Sequence, residues 1–206
     1  MGYTVVPTVY TSDTWTASNH NLYIKDNIAF LEAQAEGEYT VFLTAAGLVH
    51  QAGASPGLLE LIDFGTICHY GIPFDKDSDE FMNFLLGMPK RYDSASVYVK
   101  YAWTAQAATG GNVLWSTAIN GLDDGDALGA DPSAGVVNVS DAWQANDDIH
   151  KTSWVEVAVQ GSPSDENDLI EIQIGRDADN GSDTLDADAY LLGMWIRWTA
   201  AAETDD

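Results

Sequence analysis

Leu169-Ile170-Glu171-Ile172-Gln173-Ile174-Gly175-Arg176 alternates apolar and polar side chains with a period of two. Successive side chains of a strand point to opposite faces, so Ile170, Ile172 and Ile174 share one face and Glu171 and Gln173 the other. Two more runs repeat the pattern. Val155, Val157 and Val159 oppose Trp154, Glu156 and Ala158, while Val97, Val99, Tyr101 and Trp103 oppose Tyr98 and Lys100. Half-buried strands of a two-layer sandwich alternate in this way. Working outward, apolar runs recur at Leu58–Tyr70, Phe81–Leu86, Ala95–Thr104, Val113–Asn120, Gly135–Val139, Thr152–Val159, Leu169–Arg176 and Tyr190–Thr199, separated by Gly, Pro, Asp and Asn clusters. These eight runs predict a mainly β chain folded as an eight-stranded jelly-roll sandwich. No segment repeats at a fixed period, which sets aside a β-helix or a propeller.

The chain before residue 58 reads differently. Residues 1–16 are expected to form an extended arm, with Pro7 excluding helix nearby. Thr16 or Ser18 can then cap a short α-helix that Gly37 stops. On that helix Ile24, Ile28, Leu31 and Ala35 follow heptad spacing, and Asn21 falls at a polar core position able to set register and oligomer state. This seam either self-associates, with Asn21, Ile24, Ile28, Leu31 and Ala35 as its contacts, or packs against the chain's own β domain. The expected division is therefore 1–36 arm and oligomerising helix, 37–57 Gly/Ala-rich connector with one short strand at Tyr39–Leu43, and 58–206 jelly roll.

Charge sets the function classes that remain. The chain of 206 residues carries 32 Asp and Glu against 8 Lys and Arg, a formal net charge of -24. Nucleic-acid binding needs a Lys/Arg footprint to displace counterions, and an anionic membrane surface needs the same sign of charge. Both are excluded as ordinary partners. The acids are spread through the chain, and 23 of the 32 are Asp. An acidic tail, a calcium-rich module and a protein built for molar salt are the three readings. The spread and the short hydrated carboxylates favour the third, because at 1 M salt the Debye length is about 3 Å and self-repulsion is largely screened.

Cys68 is the one cysteine, so no intramolecular disulfide and no cysteine-based metal cage can form. Its apolar neighbours predict a buried thiol. Residues 1–6 lack the cationic and apolar regions of a signal peptide, and no apolar run approaches the ~18 residues that span a bilayer.

Gly53-Ala54-Ser55-Pro56-Gly57 matches the nucleophile-elbow string, but that elbow needs an α/β sheet, and here a strand-like run follows. His20, His50, His69 and His150 share no spacing that would hold a metal. No catalytic residue is assigned, and the chain is read as a non-enzyme. Two Asp-rich loops offer hard oxygen ligands to Ca²⁺: Asp124 and Asp126 in one, Asp177, Asp179 and Asp183 in the other. Neither fits an EF-hand frame, so solvated hairpin loops are the competing reading, and no cofactor is expected. Trp143 in a loop and Trp115, Trp195 and Trp198 in strands could stack on a pyranose face, but strand tryptophans are more often core. Trp143 is the one expected at the surface, where with Asp147 and Asp148 it is a candidate receptor contact.

Several strings resemble a recurring type of tailed-virus virion protein. Asp13-x-Trp15-Thr16-Ala17-Ser18, then Asn21 and Asp26-Asn27, is similar to the opening of many phage tail and fibre proteins, where an arm leads into an oligomerising helix. Between about residues 60 and 198, further strings follow in the order seen in jelly-roll fibre or head-appendage proteins of phages. They are Met88-Pro89-Lys90-Arg91-Tyr92-Asp93, Tyr101-Ala102-Trp103-Thr104, Gly111-Asn112-Val113-Leu114-Trp115 and Asp124-Gly125-Asp126, then Arg176-Asp177-Ala178, Asp183-Thr184-Leu185 and Asp188-Ala189-Tyr190-Leu191-Leu192-Gly193. The resemblance implies a virion location, as a capsid turret, decoration or fibre, and no chemistry. It implies self-association (a homotrimer favoured, a pentamer the alternative), contacts with other virion proteins of head or tail, and attachment to a host cell-surface glycan or S-layer. The Asp excess departs from ordinary phage members and fits a virus of haloarchaea. A carbohydrate-binding or glycan-hydrolysing jelly roll is the alternative function.

Overall fold

The computed structural model describes residues 37–87, 92, 97–128, 135–161 and 169–200. Within them the chain is a sandwich of two sheets, antiparallel except for one short pair. The extended arm, the helix with Asn21, Ile24, Ile28, Leu31 and Ala35, and the boundary at residue 36 lie outside the described residues.

Thirteen strands are present among the described residues. In chain order they are β1 (Gly37–Thr44), β2 (Val49–His50), β3 (Glu60–Asp63), β4 (Cys68–Phe74), β5 (Glu80–Gly87), β6 (Val97–Thr104) and β7 (Asn112–Leu122). There follow β8 (Val137–Ala142), β9 (His150–Lys151), β10 (Val155–Val157), β11 (Val159–Gln160), β12 (Leu169–Arg176) and β13 (Ala189–Ala200). The first sheet runs β10-β6-β13-β4-β3, with β9 joining the outer edge of β6 and β1 lying along β13. The second runs β11-β7-β12-β5-β2, with β8 beside β7.

The expected runs map onto these strands with three differences. Leu58–Tyr70 is a hairpin, because Gly65 takes φ 86 and turns the chain between β3 and β4. Thr152–Val159 divides into β10 and β11, which pair with β6 of one sheet and β7 of the other. The strand in the connector is longer than expected, and pairs with β13 from Gly37↔Ala200 to Thr44↔Gly193.

The alternation holds where it was clearest. Ile170, Ile172 and Ile174 of β12 are fully buried, as are Val97, Val99, Tyr101 and Trp103 of β6. Fully burying such a side chain contributes roughly 1.5–3 kcal/mol, so the facing rows carry most of the cohesion. Between the layers, the Trp115 ring stacks on Tyr101 at 5.3 Å and meets Phe74 edge-on at 5.2 Å. The Tyr101 hydroxyl reaches Ser116 O and Thr117 Oγ1, and burial pushes its pKa up. No described helix is long and apolar enough to cross a membrane.

Candidate functional site

The outer face of the first sheet carries a groove of about 1020 Å³. Its floor is made by small residues on the two strands that flank β13: Ala102 and Thr104 of β6 and Thr44 at the end of β1. One end is closed by the Phe42 and Trp195 rings, which are cross-strand neighbours with centroids 4.7 Å apart. One wall is the β3–β4 hairpin, through Phe64, Ile67, His69 and Tyr70. The other is the loop before β9, through Asp147, Asp148 and Ile149.

A β-bulge in β13 puts Trp195 in the groove. Leu191 pairs with Trp103 and Gly193 with Ala102, so Leu192 is an extra residue on the β13 side. Leu191 is buried before the bulge and Met194 and Ile196 after it, which shows that the parity has flipped. Trp195 and Arg197 therefore face outward. Gly193 makes the bulge tight: a Cβ there would sit 2.4 Å from Leu43 O and 2.6 Å from the Phe42 ring.

The polar groups of the groove are few. The Thr104 side chain is buried and its Oγ1 has no hydrogen-bond partner. Asp148 is exposed, and its carboxylate has no partner among the described residues. Asp147 takes φ 65, the one positive φ of a non-glycine among the described residues. It is held there by its N–H donating to Ala105 O at 2.9 Å and by Gln106 Nε2 donating to its carboxylate at 3.3 Å. Behind the loop, His150 is buried, stacks on Trp103 at 4.4 Å and places Nε2 3.1 Å from Ala145 O.

Beyond Trp195 the same sheet face continues as an aromatic and cationic strip. Lys100 Nζ lies 5.9 Å from both the Trp154 and Trp195 rings, and the Arg197 guanidinium lies over Tyr98 and Trp154 at 4.8 and 4.7 Å. Arg197 also pairs with Glu38 at 3.3 Å.

The residues singled out from sequence are distributed unevenly. Asp147 and Asp148 stand together on the groove wall. Trp143 does not join them, and its expected exposure is corrected: it is half-buried and packs against the core, because the loop turns inward where its N–H donates to Gly111 O. Trp195, for which the core was the favoured expectation and sugar stacking the alternative, faces outward, and Trp154 lies on the outer face opposite the buried Val157, where the alternation puts it. Cys68 is exposed, because the start of β4 projects beyond the sandwich. Ser55 lies in a loop, donating to Gln51 O, with no elbow around it.

The five Asp candidates do not form one cluster. Asp124 and Asp126 sit in the turn after β7, where Asp126 accepts from the Asp123 N–H at 2.9 Å. Asp183 is engaged by Arg176, whose Nε and Nη2 each donate to it at 2.9 Å. Asp177 and Asp179 do approach one another, joined by Asp79, with carboxylate oxygens within 4.8 Å. The charge of Asp79 holds the Asp179 carboxyl above its ordinary range. Asp79 lies about a hundred positions away in the chain, so no spacing rule could have brought it in.

Comparison by sequence finds no matching family model and no matching curated protein. Solved structures with related shape include an isomaltodextranase from Arthrobacter globiformis complexed with panose, at 16% identity and TM-score 0.40 over 79% of this chain. They also include the carbohydrate-binding module TmCBM61 in complex with β-1,4-galactotriose, at 9% identity and TM-score 0.34, over 77% of this chain and 86% of that one. A third is the CBM2 module of an evolved Dit protein from Lactobacillus casei BL23 phage J-1, at 10% identity and TM-score 0.34, over 82% and 98%. This chain spans 23% of the isomaltodextranase and 34% of a carbohydrate esterase from Cellvibrio japonicus. At TM-scores below 0.5, none of these likenesses says what this chain binds.

Proposed function

We propose that this β-sandwich binds carbohydrate in the groove on the outer face of its first sheet. The observation that carries the reading is the outward Trp195–Phe42 pair above a floor that holds the unpartnered Thr104 hydroxyl. Aromatic faces cover the apolar C–H faces of a sugar ring, and an orphaned hydroxyl calls for a hydroxyl partner. Thr104 Oγ1 is already desolvated and unsatisfied in the free protein, a cost of about 1–3 kcal/mol that a sugar hydroxyl reaching it would relieve and a purely apolar occupant would not. Binding rather than turnover fits the carboxylates. Asp147 and Asp148 are the acids that line the groove, and both belong to one wall. Glycoside hydrolysis needs two carboxyl groups flanking the bond, about 5–9.5 Å apart.

The test is affinity electrophoresis through gels containing dextran, laminarin, galactan or mannan. The native protein is expected to be retarded by at least one of them. Trp195→Ala is expected to lose that retardation while keeping the native circular dichroism; equal retardation of the variant would contradict the site.

A second reading concerns where this module works. The resemblance to virion appendages supports a tailed-virus fibre, turret or decoration carried on the virion. Its groove would then meet a host-surface glycan, and many copies would raise avidity by about 10²–10⁴. The heptad seam from Asn21 to Ala35 supports a homotrimer, with a pentamer as the alternative. Light scattering in molar salt is expected to give a trimeric mass, and a monomeric mass would remove the seam's role.

A further inference from the structure

Resting on the groove as a carbohydrate site, we infer that Thr104 and Asp148 are its specificity-determining residues, selecting a neutral, hydroxyl-bearing glycan and rejecting one that carries carboxylate or sulfate groups. The groove lining contains no Lys and no Arg. The cations nearest to Trp195 lie outside the groove lining and are already engaged by aromatic rings, Lys100 by Trp195 itself. Arg197 is sandwiched against Tyr98 and Trp154 and paired with Glu38, and Lys100 lies between Trp154 and Trp195 on the continuing strip.

Besides the exposed side chains of Thr44, Thr66, His69 and Tyr70, the groove holds one buried, unpartnered hydroxyl, that of Thr104, and one unpartnered carboxylate, that of Asp148 on the wall. An ionised carboxylate only accepts hydrogen bonds, and it can accept from two hydroxyls of one sugar at once. Against an anionic substituent the same group repels and leaves both partners desolvated, which is how a site rejects a ligand. The loop that carries Asp148 is fixed. The Asp147 N–H bond to Ala105 O and the Ala108 N–H bond to Asn146 Oδ1 at 3.0 Å tie it to the end of β6. Asp148 therefore stands at a set height above the floor.

The chain's net charge of -24 would itself repel a polyanion in dilute buffer. The experiment is therefore run at 1 M salt, where the Debye length of about 3 Å leaves only local contacts. The full-length protein is electrophoresed against the neutral polysaccharides named above and against polygalacturonate. Retardation by a neutral polymer and not by polygalacturonate is expected. Asp148→Asn is expected to weaken the neutral interaction about tenfold, the scale of a hydrogen bond to a charged group. Thr104→Val should weaken it as well while leaving the melting temperature unchanged or higher, since it removes a buried orphan; a purely structural role for Thr104 would lower the melting temperature. Asp148→Lys is expected to admit polygalacturonate. Equal retardation of the native protein by polygalacturonate, or native-like binding by both Asp148→Asn and Thr104→Val, would overturn the assignment while the groove reading stands. Retardation by no polymer at all would instead bring down the groove reading itself.

Discussion

Arg176 shows how one side chain can organise a loop that sequence spacing alone leaves open. Its guanidinium is fully buried, and all five N–H donors are used: two on Asp183, one on Leu185 O, and one each on Phe74 O and Ala187 O. Asp183 in turn accepts from the Leu114 N–H at 2.9 Å. The pair thus fastens the Asp177–Asp188 loop across both sheets, and Asp183 serves folding rather than ion binding. The run Leu169–Arg176 was legible as a strand, but nothing in its alternation distinguishes a buried arginine from an exposed one at the strand's end. Removing one partner of a buried pair leaves a desolvated charge, at a typical cost of about 3–5 kcal/mol. Arg176→Ala is accordingly expected to lower unfolding free energy by an amount on that order in urea denaturation. A loss within the ~0.5 kcal/mol of an ordinary surface change would contradict the role.

At the scale of elements, the decisive feature is the bulge in β13. Tyr190–Thr199 was readable as a strand, and a glycine within a strand is the sequence sign of a bulge or a close backbone approach. Without the bulge, the parity of Leu191 would carry Trp195 into the core, where a tryptophan in a strand is expected. With it, Met194 and Ile196 fill the core and Trp195 faces the groove. The groove was thus only half legible. The acidic loop with Asp147 and Asp148 was visible as an outer loop, but the groove's aromatic end depended on one inserted residue. Gly193→Ala would drive a methyl group into Leu43 O and the Phe42 ring. Overpacking of this kind costs typically ~1–3 kcal/mol. The variant is expected to lose stability on that scale in urea and to lose retardation by the neutral polysaccharide as well. Wild-type stability together with wild-type retardation would show that the Phe42–Gly193 contact does not shape the site.

For the whole molecule, two sheets closing on the Trp103, Trp115 and Ile170–Ile174 rows account for the mainly β architecture that the alternation predicts. The charge acts at this scale too. Asp79, Asp177 and Asp179 crowd together without a neutralising cation among the described residues, and Asp179 binds its proton more readily for it. Such like-charge crowding is tolerable where salt screens it. The same acidity makes an unpaired carboxylate a weak pointer by itself; Asp148 gains meaning from the aromatic rings and the orphaned hydroxyl that share its groove. The measurement that tests this most directly is nuclear magnetic resonance of the seven indole N–H signals as the neutral polysaccharide that retards the protein is added. The Trp195 signal is expected to shift while those of the buried Trp103 and Trp115 hold still. Shifts confined to tryptophans outside the groove, with Trp195 unmoved at saturation, would contradict the account.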